Sequence, residues 1–319
     1  MRKLIWLIPL TVGLWSCGSD DDGPSGVRYS DDLFTEVNTT LDIKYGVNAA
    51  LQGIAQDLFI DVYEPADDNE TSRPLLLLAH GGAFVSGTKT QIRDLCTSYA
   101  EKGYVVASMS YRLINDPTIS DSVAYSEGVV LTLGDMKAAI RYLRNDALNA
   151  NTYGIDPNMI IIGGVSAGAV MAMNVGFWDE GDPEIPDYLQ DHVDTHGGFE
   201  GNSNDINVSS EVNGIISFSG SVFRDAWIDS NDPPIFMVHD ELDPVVPCNY
   251  EVTNVVPFPI LAYGACAIQD ALVNANVSSQ FLLIEGSDGH VSFLEDDDQA
   301  QEIIDESSAF MLRIINGEI

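Results

Sequence analysis

Cationic side chains are scarce in this chain: 14 Lys and Arg stand against 49 Asp and Glu in 319 residues, a formal charge of −35. Such a surface repels nucleic acid and anionic lipid head groups, which excludes both as partners and favours neutral or cationic ligands. Histidine is rarer still, with five residues. They form no H-E-x-x-H pair and no spaced cluster, so the pattern points to no metal site. The acidic run "EDDDQ" at 295–299 reads as a solvated turn rather than a cation loop. No nucleotide-binding glycine fingerprint occurs, and no cofactor is expected. The longest apolar stretch, "LIWLIPLTVGLW", is too short for a comfortable membrane span.

That stretch follows Arg2 and Lys3 and ends in "LWSCG", as a secretory signal does. Its end resembles a bacterial lipobox, with Leu14 at the third position before Cys17, although Trp15 stands where a small residue is usual. The resemblance implies a lipoprotein signal peptide over 1–16, lipidation of Cys17, and export to the outer membrane with the lipid as the sole membrane contact. An ordinary signal peptide is the alternative. The following "SDDDGPSG" has too little apolar surface to order itself, so 17–35 reads as a flexible acidic tether and 36–319 as one domain. The acidic run after Cys17 also resembles an export signal of surface lipoproteins, with a plain linker as the equal alternative.

Three cysteines remain. Cys248 and Cys266 flank one proline-rich insertion and are expected to pair, as an exported protein permits. Cys96 shares an apolar helical spacing with Ile92, Leu95 and Tyr99 and reads as an inert buried thiol.

Short apolar runs alternate with helical patterns. "DLFIDVYEP" at 57–65 has the period of two of an antiparallel edge strand, while "PLLLLAH" at 74–80 and "YVVASMSY" at 104–111 read as strands buried on both faces. A helix is expected over 133–148, with Lys137, Arg141 and Arg144 off its apolar stripe. Further strands are expected in "MIII", "GIISFSGSV", "PIFMVHDELD" and "SQFLLIEGSDGH", and 179–213 reads as irregular. Strands separated by helices imply a mostly parallel sheet, whose sites gather beyond the carboxyl ends of the strands.

Several polar residues stand at those ends. Gly164-Val165-Ser166-Ala167-Gly168 fits G-x-S-x-G, a pattern that chance alone produces in roughly one chain of this size in ten. Here it lies between a buried strand and a helix, the setting of a nucleophile elbow. A serine needs a base, and His290, after the last strand, is the best placed. His239 reads as structural, packing the turn that presents the acid, and His192 and His196 follow no strand. The acid that orients the base is Asp243, preferred to Asp240 because the loop has by then cleared its strand. Gly81 and Gly82, after His80, would turn backbone N–H groups inward and form an oxyanion hole with Ala167.

At these residues the chain resembles an α/β-hydrolase of the carboxylesterase type, near the hormone-sensitive lipase and feruloyl or acetyl xylan esterase branches. The pieces that carry the likeness are "HGGAFVSG", "YVVASMSYRL", "DMKAAIRYLR", "YGIDPNMIIIGGVSAG", "HDELDPVVP" and "GSDGH". The resemblance implies the α/β-hydrolase fold, with helices on both faces of the sheet, and hydrolysis of short-chain or glycan-linked esters through an acyl-enzyme. It departs from the family's pattern at Ala83, where the oxyanion loop has a third glycine, and at Ala169, where many relatives have glycine. The stretches 179–213 and 248–266 replace a recognisable lid and are expected to wall the pocket. A serine peptidase of the prolyl oligopeptidase kind shares the triad order, but there is no room for its propeller. The non-enzyme alternative is a hydrolase fold kept for binding.

Overall fold

A computed structural model of the chain describes residues 26–114, 116, 119–253 and 260–319. The expected signal peptide, Cys17 and the tether as far as residue 25 lie outside the described residues. In chain order the elements are β1 (Val37–Ala49), β2 (Ala55–Pro65), β3 (Arg73–Ala79), α1 (Arg93–Glu101), β4 (Val105–Met109), α2 (Ser122–Asn149), β5 (Ile155–Val165), α3 (Ala167–Phe177) and α4 (Asp187–Thr195). They continue as β6 (Gly214–Phe218), β7 (Ser221–Val222), β8 (Ile235–Asp240), β9 (Tyr250–Thr253), β10 (Ile260–Gly264), α5 (Gln269–Ala275), β11 (Ser279–Ile284) and α6 (Asp297–Ile315).

Eight strands form one sheet in the order β1-β2-β4-β3-β5-β6-β8-β11. The first two pairings are antiparallel, and from β4 to β11 every neighbour is parallel. Alternation along β3 divides the core between the two faces: Leu75 and Leu77 belong to the cluster under α2 and α3, Leu76 and Leu78 to the cluster under α1 and α6. This is the α/β-hydrolase fold, with its parallel strands all delivering their carboxyl ends to one rim.

β2 is not the edge strand its alternation suggests. β1 pairs outside it, from Val37 opposite Pro65 to Ala49 opposite Ala55. β1 is mostly exposed and has no apolar run to betray it. α2 begins eleven residues before the expected position 133, at Ser122, because the Asp121 carboxylate accepts from Ala124 N at 2.9 Å and caps it there. Arg141 and Arg144, expected toward solvent, are buried. Arg141 donates to the Glu200 carbonyl at 2.8 Å and its carboxylate at 2.7 Å, and Arg144 to the carbonyls of Pro157 at 2.9 Å and Glu211 at 2.6 Å. They fasten the 179–213 stretch, which contains α4 and is less irregular than expected.

The tether expectation fails for residues 27–34, which dock on the turn before β4. Tyr29 N donates to Lys102 O at 2.8 Å, Leu33 N to Glu101 O at 2.9 Å, and the Tyr29 ring packs 5.1 Å from that of Tyr104. The Lys102 ammonium, 1 % exposed, reaches Asp32 at 2.6 Å and Asp305 at 2.7 Å. Two tyrosines and one buried lysine supply what the glycine- and aspartate-rich composition lacks. At the far end of the chain the run "EDDDQ" opens α6: Asp296 accepts from Gln299 N at 3.0 Å, and Asp297 and Asp298 lie in the first turn, where the helix dipole favours anions.

Outside the main sheet, β9 and β10 pair antiparallel, and β10 pairs with β7. Cys248 and Cys266 are disulfide-bonded as expected, with Cα atoms 5.0 Å apart, at the base of this small sheet. Cys96 is buried, and burial pushes its thiol pKa up, so it is no nucleophile.

Candidate active site

β5 ends at Val165 and α3 begins at Ala167, so Ser166 alone makes the turn, with φ 54° and ψ −118°. A non-glycine residue in that region is strained and is held there by its surroundings. Those surroundings admit no side chains. A Cβ on Gly164 would lie 2.4 Å from the carbonyl carbon of Gly168, and one on Gly168 would lie 2.1 Å from the Ala79 oxygen. Ser166 N donates to Phe218 O of the neighbouring strand at 2.8 Å, which fixes the turn from the other side.

The three residues selected from sequence meet at this point. Ser166 Oγ donates to His290 Nε2 at 2.8 Å, and His290 Nδ1–H donates to Asp243 Oδ2 at 2.7 Å, the tautomer following from these two contacts. The Asp243 side chain is fully buried, and its other oxygen accepts from Val245 N at 2.8 Å and Val246 N at 3.0 Å. His239 supports this loop, as expected, by donating from Nε2 to Val246 O at 2.8 Å. Burial holds its pKa below the ordinary histidine value, against the pull of that hydrogen bond. Asp240 stands apart and holds the other side of the His290 loop. It accepts from Ser292 N at 3.0 Å and from the Ser292 hydroxyl. Burial would raise its pKa, but the bonds from Ser287 and Ser292 outweigh burial and lower it. His192 and His196 lie on α2's side, bonded to Val123 O at 3.1 Å and Glu127 at 2.8 Å.

The loop after β3 is wound tightly: Gly82, Ala83 and Phe84 all have positive φ, at 112°, 49° and 60°. A Cβ on Gly82 would lie 2.1 Å from Ser86 O. His80 is buried at its start, donating from Nδ1 to Gly81 O at 2.7 Å, while Tyr111 donates to His80 O at 2.9 Å. Burial lowers the His80 pKa and keeps the ring neutral. Gly81 backs directly onto Ser166, since a Cβ there would lie 3.3 Å from that of the serine. Ala83 and Phe84 are the residues of this loop that line the cavity with Ser166 and Ala167, and Ala83 is the smaller. Its carbonyl accepts from the Tyr125 hydroxyl, on α2. Sequence reasoning missed both: Ala83 sat in view as the missing third glycine, whereas Tyr125 carried no signal at all.

The cavity over Ser166 is mostly apolar, walled by Phe84, Val170, Val245, Val246, Pro247 and Ala262 among others. Phe223 enters it because Asn174, buried in α3, accepts from Phe223 N at 3.0 Å and donates to Ser221 O at 3.1 Å.

Residues 60–225, just over half of the chain, match the model of the BD-FAE family. The match contains the His80 loop and Ser166 but ends before Asp243 and His290. Among curated proteins the chain is similar to the isoprenylcysteine alpha-carbonyl methylesterase ICME of Arabidopsis thaliana, 33% identical over 113 residues that cover 35% of this chain and 23% of that one. It is also similar to esterase LipQ of Mycobacterium tuberculosis, 25% identical over 239 residues, 65% of this chain and 50% of that one. The chain spans only 20%, 23% and 29% of three of the curated relatives it matches. Among solved structures it resembles Thermogutta terrifontis esterase 2, with a TM-score of 0.62, 20% identity, and 86% of this chain and 94% of that one covered. At that identity the likeness speaks for the fold.

Proposed function

Since the chain belongs to the BD-FAE family, we propose that it is a serine carboxylic ester hydrolase working through an acyl-enzyme. The observation that carries this reading is the unbroken chain of short contacts from Asp243 through His290 to Ser166. His290 Nε2 takes the Ser166 proton as Oγ attacks the ester carbonyl, and Asp243 stabilises the imidazolium that forms. The oxyanion is received by backbone N–H groups of the His80 loop and of Ala167. The expected loop donors Gly81 and Gly82 are joined by the cavity-lining Ala83. His290 then returns the proton to the leaving alcohol. Water, deprotonated by the same histidine, releases the acid.

Esterase names among the relatives favour small ester substrates, and the apolar cavity suits a short acyl group. Ser166→Ala is expected to lower kcat/KM for 4-nitrophenyl acetate by about 10⁴-fold or more. Turnover equal to that of the unaltered protein would overturn the assignment, and a parallel panel of peptide amides separates esterase from peptidase. We also propose export with a lipid on Cys17, on the strength of "LWSCG". Globomycin-sensitive processing tests it, and an unchanged mass in Cys17→Ala would refute it.

A further inference from the structure

We propose that a groove beside the nucleophile's cavity seats the leaving alcohol, and that Arg224 there selects an alcohol whose ring carries a carboxylate. This rests on the ester hydrolase reading above and names its substrate class. The groove shares Val129, Phe223 and Ile260 with the cavity over Ser166, so the two are neighbours bordered by the same side chains. An ester lying across both has its acyl group among valines and its alcohol in the groove. The two halves differ in chemistry. Where the first is mostly apolar, the second is lined by Ser122, Ser126, Tyr188, Arg224, Tyr250 and Tyr263.

Arg224 lacks a carboxylate partner, and unlike Arg144, which is met by the carbonyls of Pro157 and Glu211, and Arg313, which lies over the Phe310 ring, it borders a groove. Arg73, Lys89, Lys102, Arg112 and Arg141 each lie 2.6–2.8 Å from a carboxylate. In a chain with 49 acids that is the ordinary fate of a cation. Arg224 forms no ion pair or hydrogen bond among the described residues. The segment 254–259 reads "NVVPFP" and has no acid to offer. Asp225, next in the chain, lines a different cavity with Asp229 and Asp270, although its charge also acts on Tyr263 of the groove, against that of Arg224. A half-buried guanidinium facing a groove is an unmet two-pronged donor, and a carboxylate fits it in two parallel hydrogen bonds. The overall negative charge makes such a local cation the principal attraction an anionic alcohol would find.

The neighbouring residues suit a ring. Tyr250 and Tyr263 stack 4.1 Å apart, and Tyr250 and Tyr188 are 47% and 41% exposed, so flat apolar faces border the groove. Ser122 and Ser126 also line the groove; the Ser126 hydroxyl donates to Val123 O at 2.7 Å and keeps its lone pairs for a donor. Aromatic faces, hydroxyls and one arginine together describe a uronic-acid sugar better than a neutral sugar or an aliphatic alcohol.

The test holds the acyl group constant and changes only the alcohol, comparing O-acetylated methyl galacturonoside with O-acetylated methyl galactoside. The unaltered protein is expected to favour the acidic ester by about 10-fold or more in kcat/KM, the worth of one charge-assisted hydrogen bond. Arg224→Gln should bring that ratio near one, mainly through KM, and Arg224→Lys should keep part of it. A second arm needs no turnover: Ser166→Ala protein is titrated calorimetrically with the free methyl galacturonoside and methyl galactoside, with and without Arg224→Gln. Equal kcat/KM for the two esters, or a ratio that survives Arg224→Gln, overturns the proposal, and a neutral sugar that binds as well as the acidic one does the same. Loss of 4-nitrophenyl acetate hydrolysis by the unaltered protein overturns the ester hydrolase reading instead, while the binding arm still judges the groove.

Discussion

The turn around Ser166 and the wall made by β9 and β10 face each other across one cavity, yet different forces shape them. At the turn, backbone meets backbone: Gly164, Gly168 and the Ala79 carbonyl are so close that a single added carbon has nowhere to go. The wall is a small sheet held by a disulfide, a stacked tyrosine pair and side chains such as Leu261 that remain exposed. The proposed reactive geometry is therefore fixed where the chain has no side-chain freedom, while the facing wall is built where side chains can change at little cost.

The sharpest way to break this contrast is Gly168→Ala. The atom its Cβ would strike is a backbone oxygen 2.1 Å away, so no rotamer relieves it, and a loss of about 3 kcal/mol or more is expected in denaturant melts. A variant as stable as the parent would show that the turn can yield. On the wall side, replacing Cys248 and Cys266 together by Ala opens a link across 18 residues and should cost about 2–4 kcal/mol. Here 4-nitrophenyl acetate hydrolysis should persist, because the Ser166 to His290 contact does not depend on the link. Equal loss of stability and turnover would join the two regions into one.

Acid adds a gentler probe. His80 and His239 lie buried on opposite sides of Ser166, each with its pKa held below the ordinary 6.5 by burial. The unfolded chain takes up the protons first, so stability declines as pH falls through 6.5 toward the depressed folded values, by about 1.4 kcal/mol per pH unit for each histidine. His239→Gln should flatten about half of that slope in melts from pH 7 to pH 5, and an unchanged slope would exclude it as a source. The smallest effect is expected from Ala262→Val in the cavity wall, below about 1.5 kcal/mol in stability. Its signature is selectivity, a shift from butyrate toward acetate esters of about 10-fold or more, since Val adds two carbons to the wall and each carbon in a pocket is worth about that much.

The elbow, the strand ends and the choice of Asp243 over Asp240 were legible because each is a local pattern tied to a strand boundary. Val245 N and Val246 N turn back to Asp243 only once the chain has left β8, the physical content of a loop that has cleared its strand. β1 escaped notice because its thirteen residues pair through backbone while exposing most side chains. The first half of α2 escaped because its burial has no clean stripe, with nearly every residue from Tyr125 to Leu133 covered. Tyr125 acts through Ala83, 42 residues away in the chain, and no spacing announces that. The docking of 27–34 was hidden for the same reason, since Lys102 and Asp305 complete it from far away.

That docked segment lies against the turn that enters β4, and β4 runs parallel to β5 and β8. Residues 27–34 therefore sit at the rim opposite Ser166. The sheet is thus buttressed at its base by a segment that touches none of the reacting atoms, and its mouth is left to the loops alone.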